Sequence, residues 1–192
     1  MTWPVDPRSK ITGHYILHWR VPSNVHVQKQ SGLPDVAIIE YAPNATRKHW
    51  ILATNGMSQY RIRSRGKMIG MEVFGCFRDK AAWNVELFTS LARYSTRYKE
   101  ALCEFETLAL NGISTSGKMP YQHLFFGQTL YQPETIGAIE FDPQNLIIVN
   151  QVFGIYDSEL EYIKQFGAEA LWDKMLASQM PDTLDIARQP LA

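Results

Sequence analysis

Several groupings in this 192-residue sequence place residue types at spacings that catalysis or metal binding could use. Ser58 follows Gly56-Met57, as in a nucleophile elbow, but the strained elbow also needs a glycine two positions on, and Tyr60 stands there. The run Asn55, Gly56, Met57, Ser58 therefore reads as a tight turn whose serine bonds local backbone. A hydrolase built on Ser58 would still need a distant base such as His49 or His123. His14 and His18, four apart, would share a helix face at the spacing of many zinc sites. A metalloprotease would carry glutamate after the first histidine to activate water, and Tyr15 takes that place. His26, His49 and His123 have no cysteine or carboxylate at ligand spacing, so the histidines read as surface or hydrogen-bonded groups. The pairs Glu104/Glu106 and Glu159/Glu161 diverge on a helix and share a face on a strand, the common pattern of a solvated surface. The segment from Ser114 to Met119 holds small residues and a lysine but lacks the first glycine of a phosphate loop, and reads as a flexible loop. No catalytic residue, cofactor or metal is expected from these groupings.

The elements that would position these residues are mostly strands. Val36 to Tyr41, closed by Ala-Pro-Asn, and His49 to Thr54, closed by Asn55-Gly56, read as strands ending in turns, because Asn-Gly tolerates positive φ. Gly70 to Phe77 puts Met71, Val73, Gly75 and Phe77 in one phase and Glu72, Phe74 and Cys76 in the other. It is apolar on both faces after Glu72, as a central strand is. Leu146 to Val149 and Gln151 to Phe153 supply another buried strand, and Leu124 to Tyr131 and Ile136 to Phe141 two shorter ones. The densest basic stretch, Arg61 to Lys67, reads as a loop.

Helical spacing begins at Trp83 and continues through Leu87, Phe88, Leu91 and Ala92, with an end expected before Ser95-Thr96. Leu160, Ile163 and Phe166 follow in helical order behind Asp157 and Glu159, whose charges suit the positive end of a helix dipole. Gly167 is the residue type found just past a helix end. A further helix is expected from Ala168 through Trp172 and Leu176 towards Pro181, while residues 98–110 fit either a helix turn or a strand. No regular βαβ alternation, repeat or linker interrupts this order. The expected fold is α+β, a single domain with a mixed, largely antiparallel sheet flanked by helices.

Composition narrows the function. Apolar residues make up 45% and charged residues 20%, enough to bury a core and too apolar for disorder. Lys plus Arg total 19 and Asp plus Glu total 19, so no global basic field exists for a nucleic acid. Cys76 and Cys103 form no C-x-x-C pair and read as core thiols of a reduced, cytoplasmic protein. No apolar run approaches the length of a membrane span, and the N-terminus carries no secretory pattern.

Read in order, several segments resemble the suppressor-of-fused (SUFU) domain family. They are the strand and turn from Leu52 to Ser58, the strand Met71 to Phe74, Trp83, and the helix end Leu91-Ala-Arg93-Tyr94. They continue with the run from Val152 through Tyr156 and Glu159 to Leu160, then Phe166-Gly167, and last Asp185 to Arg188. The chain departs from the family pattern at Gly154 and Ser95, where proline is usual, and at Asn111 to Ser114, a reduced form of a glycine-histidine-threonine segment. It resembles a divergent bacterial-type member, with residues 1–34 an N-terminal arm or small helix packed on the body and 35–192 the family domain.

The resemblance implies a domain that acts by binding another protein. Animal members clamp a short peptide of a Gli-type transcription factor as an added strand between two lobes, and this chain matches the first lobe alone. Stand-alone bacterial members resemble immunity proteins, which implies a toxin domain as partner, with neither nucleic acid nor membrane. The motif residues Asn55, Gly56, Met57, Ser58, Trp83, Arg93, Tyr94, Tyr156, Glu159, Leu160, Gly167 and Arg188 are expected to be structural. The alternatives are a hydrolase around Ser58 and a self-associating structural domain whose exposed strands pair across a dimer.

Overall fold

The computed structural model describes residues 6–29, 35–64, 66–98, 100–113, 119–130, 134–178, 183–184 and 187–192. The expected loop at 114–118, the strand end at Tyr131, the approach to Pro181 and the Asp185-Ile186 part of the family motif lie outside the described residues. A helix, α1 (Arg8–Trp19), precedes β1 (Asn24–Gln28), β2 (Val36–Tyr41), β3 (Trp50–Asn55), β4 (Arg61–Ser64) and β5 (Lys67–Phe77). After α2 (Ala82–Tyr98) come β6 (Thr107–Ala109), β7 (His123–Gly127), β8 (Ala138–Asp142) and β9 (Asn145–Ile155), and then α3 (Asp157–Phe166) and α4 (Ala168–Ala177).

The strands form one mixed sheet in the order β1-β2-β3-β5-β9-β7-β6, with β4 added to β5 and β8 added to β9. All neighbours are antiparallel except the central pair β5 and β9. Apart from the outermost β1, the strand arrangement is mirrored about that pair. On one side β3 pairs with Phe74 to Phe77 and β4 with Lys67 to Gly70; on the other β7 pairs with Gln151 to Ile155 and β8 with Asn145 to Ile148. Each half then leaves its long strand for a helix, so the architecture repeats although the sequence shows no repeat.

Both faces of the sheet are covered, which explains why β5 and β9 are apolar in both phases. On one face Leu87, Phe88, Leu91 and Ala92 of α2 pack on Ile38, Leu52, Val73, Phe77, Phe126 and Val152. On the other, Ile11, Tyr15 and Trp19 of α1 pack on Ile39, Tyr41, Ile51 and Phe74, while Leu171, Trp172 and Met175 of α4 pack on Phe125, Phe153 and Ile155. Burying each of these large apolar side chains contributes about 1.5–3 kcal/mol.

Three local expectations change. The helix expected to stop before Ser95 continues to Tyr98, because Ser95 falls on the same packed face as Leu91 and is buried. The basic stretch from Arg61 is a strand, β4, whose hairpin with β5 leaves Arg63 in solvent; charge on such an edge discourages further pairing. Leu146 to Phe153, expected as one buried strand, is the middle of β9. Its polar interruption Asn150 is buried and donates to the Leu102 carbonyl at 3.2 Å. Of the two free thiols, Cys76 is buried in the core, whereas Cys103 is half-buried in a surface groove with Ile62, Tyr94 and Phe105.

β9 pairs with β5 only as far as Phe74 and Gln151, and the two strands then diverge. The chain end fills the fork. Thr183 bridges to Cys76, Leu184 N donates to the Cys76 carbonyl at 2.8 Å, and the Leu184 side chain enters the α2-side core.

Candidate functional site

At one end of the sheet the turn after β3 wraps around a buried carboxylate. Gly56, with φ of 124°, lets the backbone bend so that the amides of Gly56 and Ser58 both donate to Glu72 Oε1 at 3.0 Å. Thr54 Oγ1 donates to Glu72 Oε2 at 2.6 Å. Asn55 closes the other side by donating to the Arg8 carbonyl and to Thr12 Oγ1 of α1, and the neighbouring Met57 is buried in the α2-side core. Burial, the largest influence, pushes the Glu72 carboxyl above the ordinary carboxylate range, against the hydrogen bonds from Ser58, Thr54 and Gly56.

This arrangement removes the hydrolase reading. Ser58 is fully buried, against Gly70 of β5. His49 precedes Trp50, which pairs with Phe77 at the far end of β5. His123 pairs with Ile155 at the corresponding end of β9. Gly70 and Phe77 are separated by 77 − 70 = 7 residues of strand, roughly 23 Å, so neither histidine reaches Ser58 as a base. His123 is instead 2.8 Å from Asp157. His14 and His18 do share a helix face, with rings 4.7 Å apart, but His14 Nε2 bonds the Ile136 carbonyl at 3.2 Å. Burial lowers the pKa of both rings. No group of three potential metal ligands occurs among the described residues.

The second set of motif residues meets at the opposite end. Arg188 donates from Nη1 and Nη2 to the two oxygens of Glu159 at 2.6 and 2.8 Å, and from Nη2 to the Gly154 carbonyl at 3.0 Å. Glu159 also accepts from the amides of Tyr156 at 2.9 Å and Leu191 at 3.0 Å, and Tyr156 Oη donates to the Arg188 carbonyl at 2.6 Å. The guanidinium lies over the rings of Tyr121 and Tyr156. Gly154 makes room: a Cβ there would stand 1.9 Å from the Tyr121 ring. This cluster clasps the chain end onto the start of α3, while Glu161 points to solvent beside Lys164.

The other motif residues are dispersed. Trp83 packs edge-on against Phe77, Arg93 and Leu160 are half-buried on their helices, and Gly167 turns the chain between α3 and α4 with φ of 90°. Tyr94 donates to Glu100 at 2.9 Å beside the Cys103 groove. Glu106 and Glu104 serve local contacts, with Cys103 N and Gln128 Nε2.

The sequence reading missed two features. Glu40, fully buried on β2, lies 2.7 Å from Lys80 and 3.0 Å from His26 of β1. Burial pushes its pKa up, but Lys80 and His26 outweigh it and hold the carboxyl below its ordinary range. The signal was a lone glutamate inside an apolar strand. The second feature is an apolar strip along the outermost strand. Val25 and Val27 are opposite Ile39 and Ala37, on the α1 side of the sheet, and are 48% and 56% exposed. Leu17 and Val21, at and beyond the end of α1, are 83% and 80% exposed. Among the described residues, β1 pairs on one edge only. An open strand edge beside unsatisfied apolar surface is suited to taking up an extended segment of another chain. No described helix is long and apolar enough to cross a membrane.

Comparison with known proteins is consistent across sequence and structure. The profile of the family described as Suppressor of fused protein (SUFU) matches residues 32–189. A SUFU homologue from Neisseria gonorrhoeae FA 1090 superposes with a TM-score of 0.73 at 17% identity, covering 97% of this chain and 97% of its own. The crystal structure of a Sufu-Fu complex contains a chain matched with a TM-score of 0.68 at 17% identity, over 98% of this chain and 93% of that one. Drosophila Suppressor of Fused is matched with a TM-score of 0.66 at 16% identity over 97% of this chain, which spans only 51% of the fly protein. No curated protein sequence matches significantly.

Proposed function

The chain belongs to the suppressor of fused family, and from that premise we propose that it is a non-catalytic protein-binding module, an immunity protein that neutralises a cognate toxin in the bacterial cytoplasm. The observation that carries this reading is the open β1 edge with Val25 and Val27 exposed on it, in a chain that also exposes Leu17 and Val21 in the segment leading to β1. A monomer gains nothing from leaving these side chains in water, and a partner strand laid on β1 would cover Val25 and Val27 while satisfying the free backbone groups. One further fact supports a protein partner: a chain with the same fold was crystallised in a Sufu-Fu complex. The interior carboxylates Glu72 and Glu159 are committed to holding a turn and the chain end, which leaves recognition to the surface.

The test is to clone any toxin domain found encoded beside this gene and co-express the two. Wild-type protein protects the cells and co-purifies with the toxin, whereas Leu17→Glu/Val27→Lys does neither while remaining folded. Absence of both complex and protection with the wild-type chain overturns the reading. A dimer in light scattering that Val27→Lys dissociates would instead assign the strip to self-association.

A further inference from the structure

Below the end of α1 a cleft of about 400 Å3 collects His18, Arg20, Arg47, Lys48 and His49 and, among the described residues, no carboxylate. In a chain whose charges sum to zero, this is a local excess of three fixed positive charges, from Arg20, Arg47 and Lys48. We propose that the cleft is a binding site for the phosphate group of a phosphate ester, a ligand class unrelated to the strand partner of β1.

The site is built on rigid backbone. Asn44 Oδ1 accepts from the amides of Thr46 and Arg47 at 2.9 and 3.0 Å, and Asn44 N donates to the Arg47 carbonyl at 2.8 Å, which closes the loop before β3 on itself. Half-buried Arg47 is aimed by two carbonyls, donating from Nη2 to Ala42 at 2.6 Å and from Nε to His49 at 3.2 Å. Neither bond neutralises its charge. The groups near enough to act on it electrostatically are the buried Cys76 thiol and Tyr41 phenol. Half-buried His18 has its pKa lowered by burial and by the neighbouring His14. Burying an arginine without a carboxylate is costly unless an anion completes the site.

Arg20 adds a second, independent sign. It closes α1 through a hydrogen bond to the Ile16 carbonyl, at φ of 71° and ψ of −159°, a conformation that glycine adopts without strain and other residues rarely. An arginine in this conformation adds its guanidinium to the cleft lining at a cost in backbone energy. A phosphate monoester, with a charge of about −1.5 to −2 and three acceptor oxygens, matches converging arginine forks and a lysine better than a single carboxylate does. The volume is in the range of small-molecule pockets and larger than one phosphate needs, which leaves space for the rest of the ester.

The experiment titrates sodium glycerol 3-phosphate, a phosphoserine peptide and sodium succinate into the purified full chain at constant ionic strength, following the amide NMR signals of Thr46 to His49. Saturable shifts with either phosphate probe at a Kd below about 1 mM, and none with succinate, are expected. Whichever phosphate probe binds more tightly tells a free ester from one carried on a peptide. Arg20→Gln/Lys48→Gln, both exposed positions, should weaken that binding at least about tenfold without altering the fold. Arg20→Gly should raise the melting temperature while weakening phosphate binding, a trade that a purely structural arginine would not show. Non-saturating drift, equal binding of succinate, or full affinity in the double variant overturns the proposal. Because no toxin is present, these outcomes do not depend on the proposed immunity role.

Discussion

Arg188 holds both carboxylate oxygens of Glu159, 29 residues earlier, at 2.6 and 2.8 Å, with the two side chains 6% and 0% exposed. The pair is the clasp of the chain end, since the same carboxylate receives the Leu191 amide and the same arginine caps the Gly154 carbonyl. Removing the cation leaves a buried carboxylate without a counter-charge. Arg188→Met should therefore cost about 3–5 kcal/mol in urea unfolding. Arg188→Lys should recover only part of this, because an ammonium cannot reproduce the two-pronged bond. Glu159→Leu/Arg188→Met should be more stable than Arg188→Met alone. A loss below about 1 kcal/mol in the first variant would show that the clasp is ornamental.

The two buried glutamates of the sheet should tilt the pH dependence of stability in opposite directions. Glu40 has a lowered pKa, so its contribution is complete above the ordinary value of 4.5 and is lost as pH falls through the folded value. Glu72 has a raised pKa, so its protonated form suits the fold; relative to low pH, stability is lost as pH rises from 4.5 through the folded value. Urea midpoints measured from pH 3 to 8 in Glu40→Gln and Glu72→Gln should differ from wild type with opposite slopes. The same slope in both would contradict these environments.

Gly154 and Tyr121 are coupled by contact. Gly154→Ala should destabilise by about 1–3 kcal/mol, because the ring must leave a position that a Cβ would overlap. In Tyr121→Ala the same glycine replacement should cost much less, and a double-mutant cycle reads the difference. Additive effects would mean that the ring already has somewhere else to go.

The β1 strip should be dispensable for folding. Val27→Lys and Leu17→Glu should each change stability by no more than about 0.5 kcal/mol, since neither side chain is buried. A much larger loss would place these residues in the core and leave no docking surface there.

Much of the fold was legible because its signals are local. Strands at Val36 to Tyr41 and through Met71 to Phe77, the helix from Trp83, and the Asp157 start and Gly167 end of α3 follow from alternation, 3.6-residue spacing and terminal residue types. The misreadings are places where a distant partner overrides local preference. Ser95 continues a helix because the α2 face is packed, and the arginines of β4 form a strand because β5 offers an edge.

The sequence by itself determined the class of protein: a balanced, foldable α+β chain with suppressor-of-fused motifs in order and no complete catalytic constellation. Those properties reside in composition and in spacings of a few residues, which any reader of the chain can count. Only the tertiary structure decided what the motif residues do. It buried Ser58 against Gly70 and took it roughly 23 Å of strand away from the candidate bases. It also joined Arg188 to Glu159, and it brought Arg20 to Arg47 in a cleft with no carboxylate among the described residues. These relationships depend on sheet order and register, which are fixed by long-range packing on both faces and leave no mark in the short-range pattern.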